Sequence, residues 1–395
     1  MALKPSALTS RDWSAHNHAR SKLGAGRRVL HIATRYLRGG AERNLAHFVD
    51  WEVAAGYDVE VALGRDSNPT GFPHGVRIHR VESLVRDVNP LRDLLALRDL
   101  RSLIRAGRYE MVHTHLSKAG IVGRIAARGL ARRIVHTVHM ASFGHGYHPI
   151  ASAAFRQAER RCASFADGTA FVGTDLLELY QRSRIGSPQK SMVIRSPIEI
   201  ERFLATRSWS NDQRMDVRRE MGIHPDGRLV IAIGALEARK RYALMIRRLQ
   251  PLLSTGEVTL VIAGDGRERS ALEGAVTRNR VANHVRFLGH VDEVSAVMAA
   301  ADLLVHTSSV EGVPQVVIQA LAAGKAVVAT DITGLREVAG ADVAVIATNG
   351  EGMAAEVAAR LDDPPIPVDP TAFTPWTCPS IDIKIEGFHA RFDNR

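Results

Sequence analysis

Aromatic residues make up only 5% of this 395-residue chain, and cysteine occurs just twice, at Cys162 and Cys378. Two cysteines so far apart provide neither a disulfide framework nor metal-ligand spacing, so the chain is expected in a reducing cytoplasm. No window approaches the roughly 18 uninterrupted apolar residues that a membrane-spanning helix needs. The N-terminal MALKPSALTSRDWSAHNHARSKLGAGRR is polar and basic and lacks the apolar centre of a secretory signal. The dinucleotide fingerprint Gly-x-Gly-x-x-Gly is missing where it would be looked for: RGGAERN at 38–44 and AGDGRER at 263–269 both fail it.

What is present, 45% hydrophobic and 24% charged residues, describes a globular chain with enough material for two full cores. The net charge of +10 is unevenly spread. Residues 1–200 hold 30 Lys+Arg against 17 Asp+Glu, a net of +13, and the remainder holds 22 against 25, a net of −3. A basic half facing something acidic and a near-neutral half follow from that asymmetry. Nucleic acid, anionic lipid and phosphorylated substrates all remain open on charge alone.

Apolar β-branched runs alternate with helical patterns. Expected strands in the first half are Val29–Thr34, Val59–Leu63, Met111–His115, Ile134–His139, Thr169–Val172 and Met192–Arg195. In the second half they are Leu229–Gly234, Val258–Ala263, Val285–Leu288, Leu303–His306, Ala326–Thr330 and Val343–Ile346. Near-continuous apolar strands between helices mark buried parallel sheet, so two doubly wound α/β domains are expected. The division reads as an N-terminal arm at 1–26, one domain at 27–204, a second at 205–363 and a proline-rich segment at 364–395 ending in a short helix. A polar stretch around 205–227 reads as the interdomain segment. Of the helices, PLRDLLALRDLRSLIRAG is the clearest, with Leu91, Leu94, Leu95, Leu103 and Ile104 able to share a face.

Four places put special residues at strand C-termini. Gly39 and Gly40 open a helix whose first N–H groups suit a phosphate or a sugar hydroxyl, although a plain glycine turn explains them equally well. His113, His115, His136 and His139 lie in or just after strands without a carboxylate cluster, which favours packed histidines over a metal; His139, last in its strand, is best placed to face a crevice. Arg239, Lys240 and Arg241 crowd a helix start, where cations oppose the dipole and an anionic ligand would offset the conflict. Finally, SSVEGVPQVVIQALAAGKAVVATD places Glu311 and Gly312 in a loop before a helix that begins near Pro314, with Gln319 two turns beyond Glu311.

In order along residues 28–340, the Gly-Gly-x-Glu turn, the His-Thr-His strand, the Arg-Lys loop, AGDG, FLGHV and the EG…ALAAGKAVVATD block resemble family-4 retaining glycosyltransferases. That resemblance implies the GT-B architecture, two Rossmann-like domains facing across a cleft. It also implies sugar transfer from a nucleotide diphosphate-sugar, UDP- or GDP-linked, to a saccharide or lipid-linked acceptor in cell-surface polysaccharide or lipopolysaccharide synthesis. By the same resemblance, Glu311 holds donor-sugar hydroxyls, and Gly312 with the backbone of Gln315 and Val316 contacts sugar and phosphates. Lys240 stabilises the departing diphosphate, His139 lies over the donor sugar, Gly40 faces the phosphates, and Gly289 and His290 receive the base. Two departures stand out. Gln319 replaces the family's second glutamate, and Ala235 stands where some members carry an arginine, leaving Arg239 as the candidate substitute.

No Asp-x-Asp occurs, so no metal cofactor is expected. A nucleotide-sugar epimerase or hydrolase on the same scaffold and a basic nucleic-acid-binding protein are the alternatives. The scarcity of aromatics weighs against nucleic acid. Arg124, Arg128 and Arg132 form a stripe within 118–133 that would suit an anionic membrane surface, and a peripheral position on the inner face of the cytoplasmic membrane is expected.

Overall fold

The computed structural model describes residues 23–37, 39–144, 147–224, 227–338, 343–363 and 368–393. Most of the N-terminal arm and residues 364–367 of the proline-rich segment lie outside them. The chain divides into two units, one of residues up to Pro197 together with those from Cys378 on, the other Ile198–Thr377.

The first unit carries strands β1 (Arg28–Ala33), β2 (Asp58–Gly64), β3 (Arg77–Val81), β4 (Met111–His115), β5 (Arg133–Val138), β6 (Gly168–Phe171) and β7 (Ser191–Val193). Its helices are α1 (Gly40–Ala54), α2 (Pro90–Gly107), α3 (Ser117–Ala127), α4 (Pro149–Ala163) and α5 (Thr174–Arg182). The strands form one parallel sheet in the order β3-β2-β1-β4-β5-β6-β7. Register places His31 opposite His113 and Ala33 opposite His115, so the three histidines share a face.

In the second unit, α6 (Ile200–Ala205) and α7 (Asn211–Glu220) precede β8 (Arg228–Ile233), α8 (Tyr242–Leu253), β9 (Val258–Ala263) and α9 (Arg269–Arg278). Then follow β10 (Val285–Gly289), α10 (Val294–Ala300), β11 (Leu303–His306), α11 (Gln315–Ala322), β12 (Ala326–Thr330), β13 (Val343–Ile346) and α12 (Met353–Asp362). This parallel sheet runs β10-β9-β8-β11-β12-β13. The last helix, α13 (Cys378–Asp393), belongs to the first unit, where Ile381, Ile385 and Phe388 join the core under β1 and β4. Each such side chain taken from water is worth about 1.5–3 kcal/mol.

Six local expectations change. The strand β3 was not anticipated, because RIHRV is an edge strand with an exposed, polar pattern and no apolar run. The polar stretch around 205–227 contains a helix, α7, started by a capping box in which Ser210 and Gln213 satisfy each other's backbone N–H groups. The unit boundary accordingly falls at Pro197, ahead of residue 204, and the segment 364–395 is divided between units at Cys378.

On α2 the buried face is Ala96, Leu100 and Ile104, whereas Leu91, Leu94 and Leu95 are 78%, 64% and 50% exposed. Asn89 caps this helix and Pro90 starts it, so its first turn stands clear of the sheet without unravelling. The arginine stripe also dissolves. Arg124 is fully buried, donating to Glu159 and to the Gly120 carbonyl at 2.7 Å each. Because α3 ends at Ala127, Arg128 leaves the helical spacing and stacks over Phe165, 4.6 Å from its ring centre.

Candidate functional site

In each sheet the strand order reverses once, between β1 and β4 and between β8 and β11. Loops leaving the C-terminal ends of such a pair diverge and open a crevice. In the second unit the loop after β8 supplies Arg239 and Lys240, and the loop after β11 supplies Glu311.

The Glu311 carboxylate gathers these groups. One oxygen accepts from Lys240 Nζ at 2.5 Å and from the Ser308 hydroxyl at 2.7 Å, and the other accepts from the Arg239 guanidinium at 3.0 Å. Arg239 also donates to Glu237 at 3.0 Å. Burial alone would raise the Glu311 carboxyl, but Lys240 and then Arg239 overcome it and hold the group ionised, below the usual carboxylate range. His306, at the end of β11, has Nε2 3.8 Å from Glu311 and is pushed down to about 3, by burial first and by Lys240 next. Two cations and a carboxylate in a largely dry crevice form a site that can exchange its internal ion pairs for a ligand's hydroxyls and phosphates.

The three consecutive cations of the sequence have different work. Arg241 adopts a left-handed backbone at φ 53° and donates to the carbonyls of Thr307 and Thr348 at 2.7 Å and of Ser308 at 3.1 Å. It is a brace between the loops after β8 and β11, not a ligand group. Thr307 donates back to the Lys240 carbonyl at 2.8 Å, and Ser309 N–H to that of Arg239 at 2.8 Å, so the two loops are sewn together on both sides of Glu311. Gly334, at φ +85°, packs against Gly312 so closely that a β-carbon would stand 2.0 Å from the Gly312 carbonyl oxygen. No larger residue fits there.

Helix α11 follows at once. Pro314 precedes its first turn, no side chain caps it, and Gln315 and Val316 are its first residues. Their N–H groups and the helix dipole suit an anion. Gln319 is buried on the same helix. Gly289 and His290 lie at the C-terminal end of edge strand β10, with β9 and β8 between them and β11. Gly289 accepts from Gly264 N–H at 2.7 Å, and the half-exposed His290 contacts Asp292 at 3.1 Å.

In the first unit a recess at the reversal point is lined by Ala33, Arg35, Tyr36, Glu42, His115 and His139. Gly40 opens α1 beside it, after an extended Gly39 and without a side-chain cap. His139 follows β5, and burial pushes it down to about 3, so the ring is neutral at pH 7. Two of the other histidines bond inside: His113 through Nε2 to Thr137 at 2.7 Å, and His136 to Thr114 at 3.0 Å. Among the described residues His31, His113 and His115 are the one set whose ring nitrogens gather as metal ligands might, within 4.8 Å of one another.

Sequence reasoning missed His306, Ser308 and Glu237 around Glu311, and His31 and Glu52 beneath His139. Position at a strand's C-terminal end was the available signal for His306 and Ser308. Glu52 carried none, because its partners lie on other elements.

Comparison with known proteins agrees with this geometry. Residues 39–196 match the family model for the glycosyl transferase 4-like domain, and residues 213–371 match that for glycosyl transferases group 1. The chain is 22% identical over 313 residues to the UDP-Gal:alpha-D-GlcNAc-diphosphoundecaprenol alpha-1,3-galactosyltransferase of Escherichia coli, covering 78% of this chain and 80% of that protein. Its fold is similar to Anabaena Alr3699/HepE, solved in complex with UDP and glucose, at a TM-score of 0.75 and 20% identity, covering 91% of this chain and 98% of that one. WaaG, a glycosyltransferase involved in lipopolysaccharide biosynthesis, is similar at a TM-score of 0.69 and 18% identity, covering 93% and 95%.

Proposed function

We propose that this chain, a GT-B glycosyltransferase with a glycosyl transferase 4-like domain and a glycosyl transferases group 1 domain, transfers a sugar from a nucleoside diphosphate-sugar with retention at the anomeric carbon. The observation that carries this reading is the Glu311 cluster, a carboxylate held ionised by Lys240 and Arg239 at the reversal point of the second sheet, before the uncapped start of α11. A donor sugar entering there would offer hydroxyls to Glu311. Its diphosphate would take over Lys240 and Arg239 and lie against the N–H groups of Gln315 and Val316. These donors face the charge that grows as the anomeric bond breaks, and a metal ion is not needed to balance it. The acceptor hydroxyl attacks from the face the diphosphate leaves, and its proton passes to a phosphate oxygen. Gln319 accepts one ribose hydroxyl and donates to another. Gly289 and His290 meet the base.

UDP as donor nucleotide is supported by the names of the Escherichia coli relative and the Anabaena complex, and a lipid-linked acceptor by the former. Incubation with UDP- and GDP-sugars, with and without an undecaprenyl-diphosphate-linked saccharide, tests the reading. Nucleotide release is expected to rise tenfold or more with acceptor. Equal release without it would make the protein a hydrolase, and an isomerised nucleotide-sugar with no release would make it an epimerase.

No helix among the described residues is long and apolar enough to cross a membrane. The acceptor's lipid is met instead by the outward first turns of α2, where Leu91, Leu94 and Leu95 stand beside exposed Arg92 and Arg98 in the basic half of the chain. Apolar side chains flanked by arginine suit an anionic bilayer surface, and tolerating them in water otherwise has no structural benefit. Replacing all three leucines by serine is expected to weaken sedimentation with anionic vesicles about tenfold or more, since each buried leucine is worth about 1.5–3 kcal/mol. Transfer to a water-soluble acceptor should be unchanged.

A further inference from the structure

Beneath the recess of the first unit a chain of buried groups leads away from His139. His139 Nε2 lies 3.1 Å from His115 Nδ1, His115 Nε2 lies 2.9 Å from His31 Nδ1, and His31 Nε2 lies 2.6 Å from Glu52. The other Glu52 oxygen is 3.1 Å from His389 of α13, whose ring stacks on Trp51 with centres 5.1 Å apart. Glu52, His31 and His115 are at most 1% exposed. Glu52 lies on the buried side of α1, among core residues beneath the sheet, and does not line the recess.

We infer that Glu52 is a positioning residue that acts on His139 from a distance, through His31 and His115, by fixing which ring nitrogen of His139 carries the proton. A carboxylate only accepts hydrogen bonds, so His31 must present N–H at Nε2. Where the His31 ring carries that one N–H, its Nδ1 is a lone pair that accepts from His115 Nε2–H. By the same step His115 Nδ1 accepts from His139 Nε2–H, and His139 Nδ1 is left bare. Burial, ahead of neighbouring histidines, holds His115 well below its ordinary range, and burial alone does the same for His139, so both rings are neutral links.

The far end agrees independently. His139 Nδ1 is buried and has no hydrogen-bond partner among the described residues. An orphaned N–H is rarer in protein interiors than an under-used acceptor, so the bare-Nδ1 tautomer is the one this environment tolerates. The recess-lining ring therefore meets its ligand with a hydrogen-bonding pattern set on α1. That consequence rests on the place over the donor sugar that the family resemblance implies for His139 and on the proposed sugar transfer, whereas the tautomer itself does not.

Long-range proton–nitrogen correlation spectra of the full chain labelled with ¹⁵N-histidine test the inference, with His139 assigned by its loss in His139→Asn. The expected wild-type pattern is a protonated Nε2 and a bare Nδ1. In Glu52→Leu the ratio of the two tautomers should fall about tenfold, the worth of one hydrogen bond. His115→Phe keeps the Glu52–His31 pair and the stacked ring, so it guards against misfolding of the first variant, and the same fall is expected. Both variants should lower acceptor-dependent sugar transfer about tenfold. A protonated Nδ1 in the wild type, or a His139 tautomer unmoved in both variants, would overturn the inference. So would one equivalent of zinc retained by the purified protein, since His31, His113 and His115 would then be metal ligands. Failure of wild-type transfer with every donor would count against the proposed function and leave the tautomer result standing.

Discussion

Replacing Lys240 by alanine is expected to lower kcat for sugar transfer about 10²-fold, the usual cost of removing one strong donor aimed at developing negative charge. The change in donor KM should be smaller, because the charge that Lys240 meets grows mainly at bond cleavage. Glu311→Ala should also lower kcat tenfold or more, but with an opposite signature in binding. In the free protein its carboxylate occupies both Lys240 and Arg239. Without it the ion pair left to them among the described residues is that of Arg239 with Glu237. Free UDP should therefore bind Glu311→Ala more tightly than wild type, while transfer is lost. Titration calorimetry with UDP alongside steady-state kinetics separates the two variants. Weaker UDP binding in Glu311→Ala, or full activity in either variant, would remove Lys240 and Glu311 from the roles assigned here.

Acid is expected to unfold the first unit at a pH where most proteins persist. His113, His115 and His136 are held well below their ordinary range, and His139 at about 3, with burial the leading cause in each. In the unfolded chain a histidine titrates near about 6.5. Between that value and the folded one, the unfolded chain binds protons that the native unit refuses, so stability falls as pH falls. His139, held at about 3, alone costs about 2 kcal/mol on going from pH 7 to pH 5 by this linkage, and the other three histidines act in the same direction. The lowered carboxyl of Glu52 does not offset this, because its own contribution disappears only at lower pH still. Thermal unfolding followed at pH 7.5, 6.5, 5.5 and 5 checks the expectation. A first transition that stays at constant temperature across that series would mean these histidines are not neutral and buried.

Much of the scaffold was legible because buried parallel strands are written as short apolar runs, and the runs ending at His115, His306 and Thr330 match β4, β11 and β12. Knowing where strands end also located Lys240 and Glu311, since crevices open at strand C-termini. The edge strand β3 escaped because an exposed, polar strand has no such run.

By itself, then, the sequence determined the alternation of strand and helix, the division into two α/β halves, and the loops from which Arg239, Lys240, Glu311 and Gly312 come. Tertiary structure alone decided which side chains within those patterns are spent on the fold. Arg241 went to carbonyls up to 107 positions away and Arg124 to Glu159, 35 positions away, while Leu91 and Leu94 turned outward. It also decided that Glu52 and His31, which carry no motif, stand behind His139. The physical reason is the range of the interactions. Periodicity and turn chemistry act over one element and are readable along the chain, but burial and hydrogen-bond partnership depend on which distant elements pack against it.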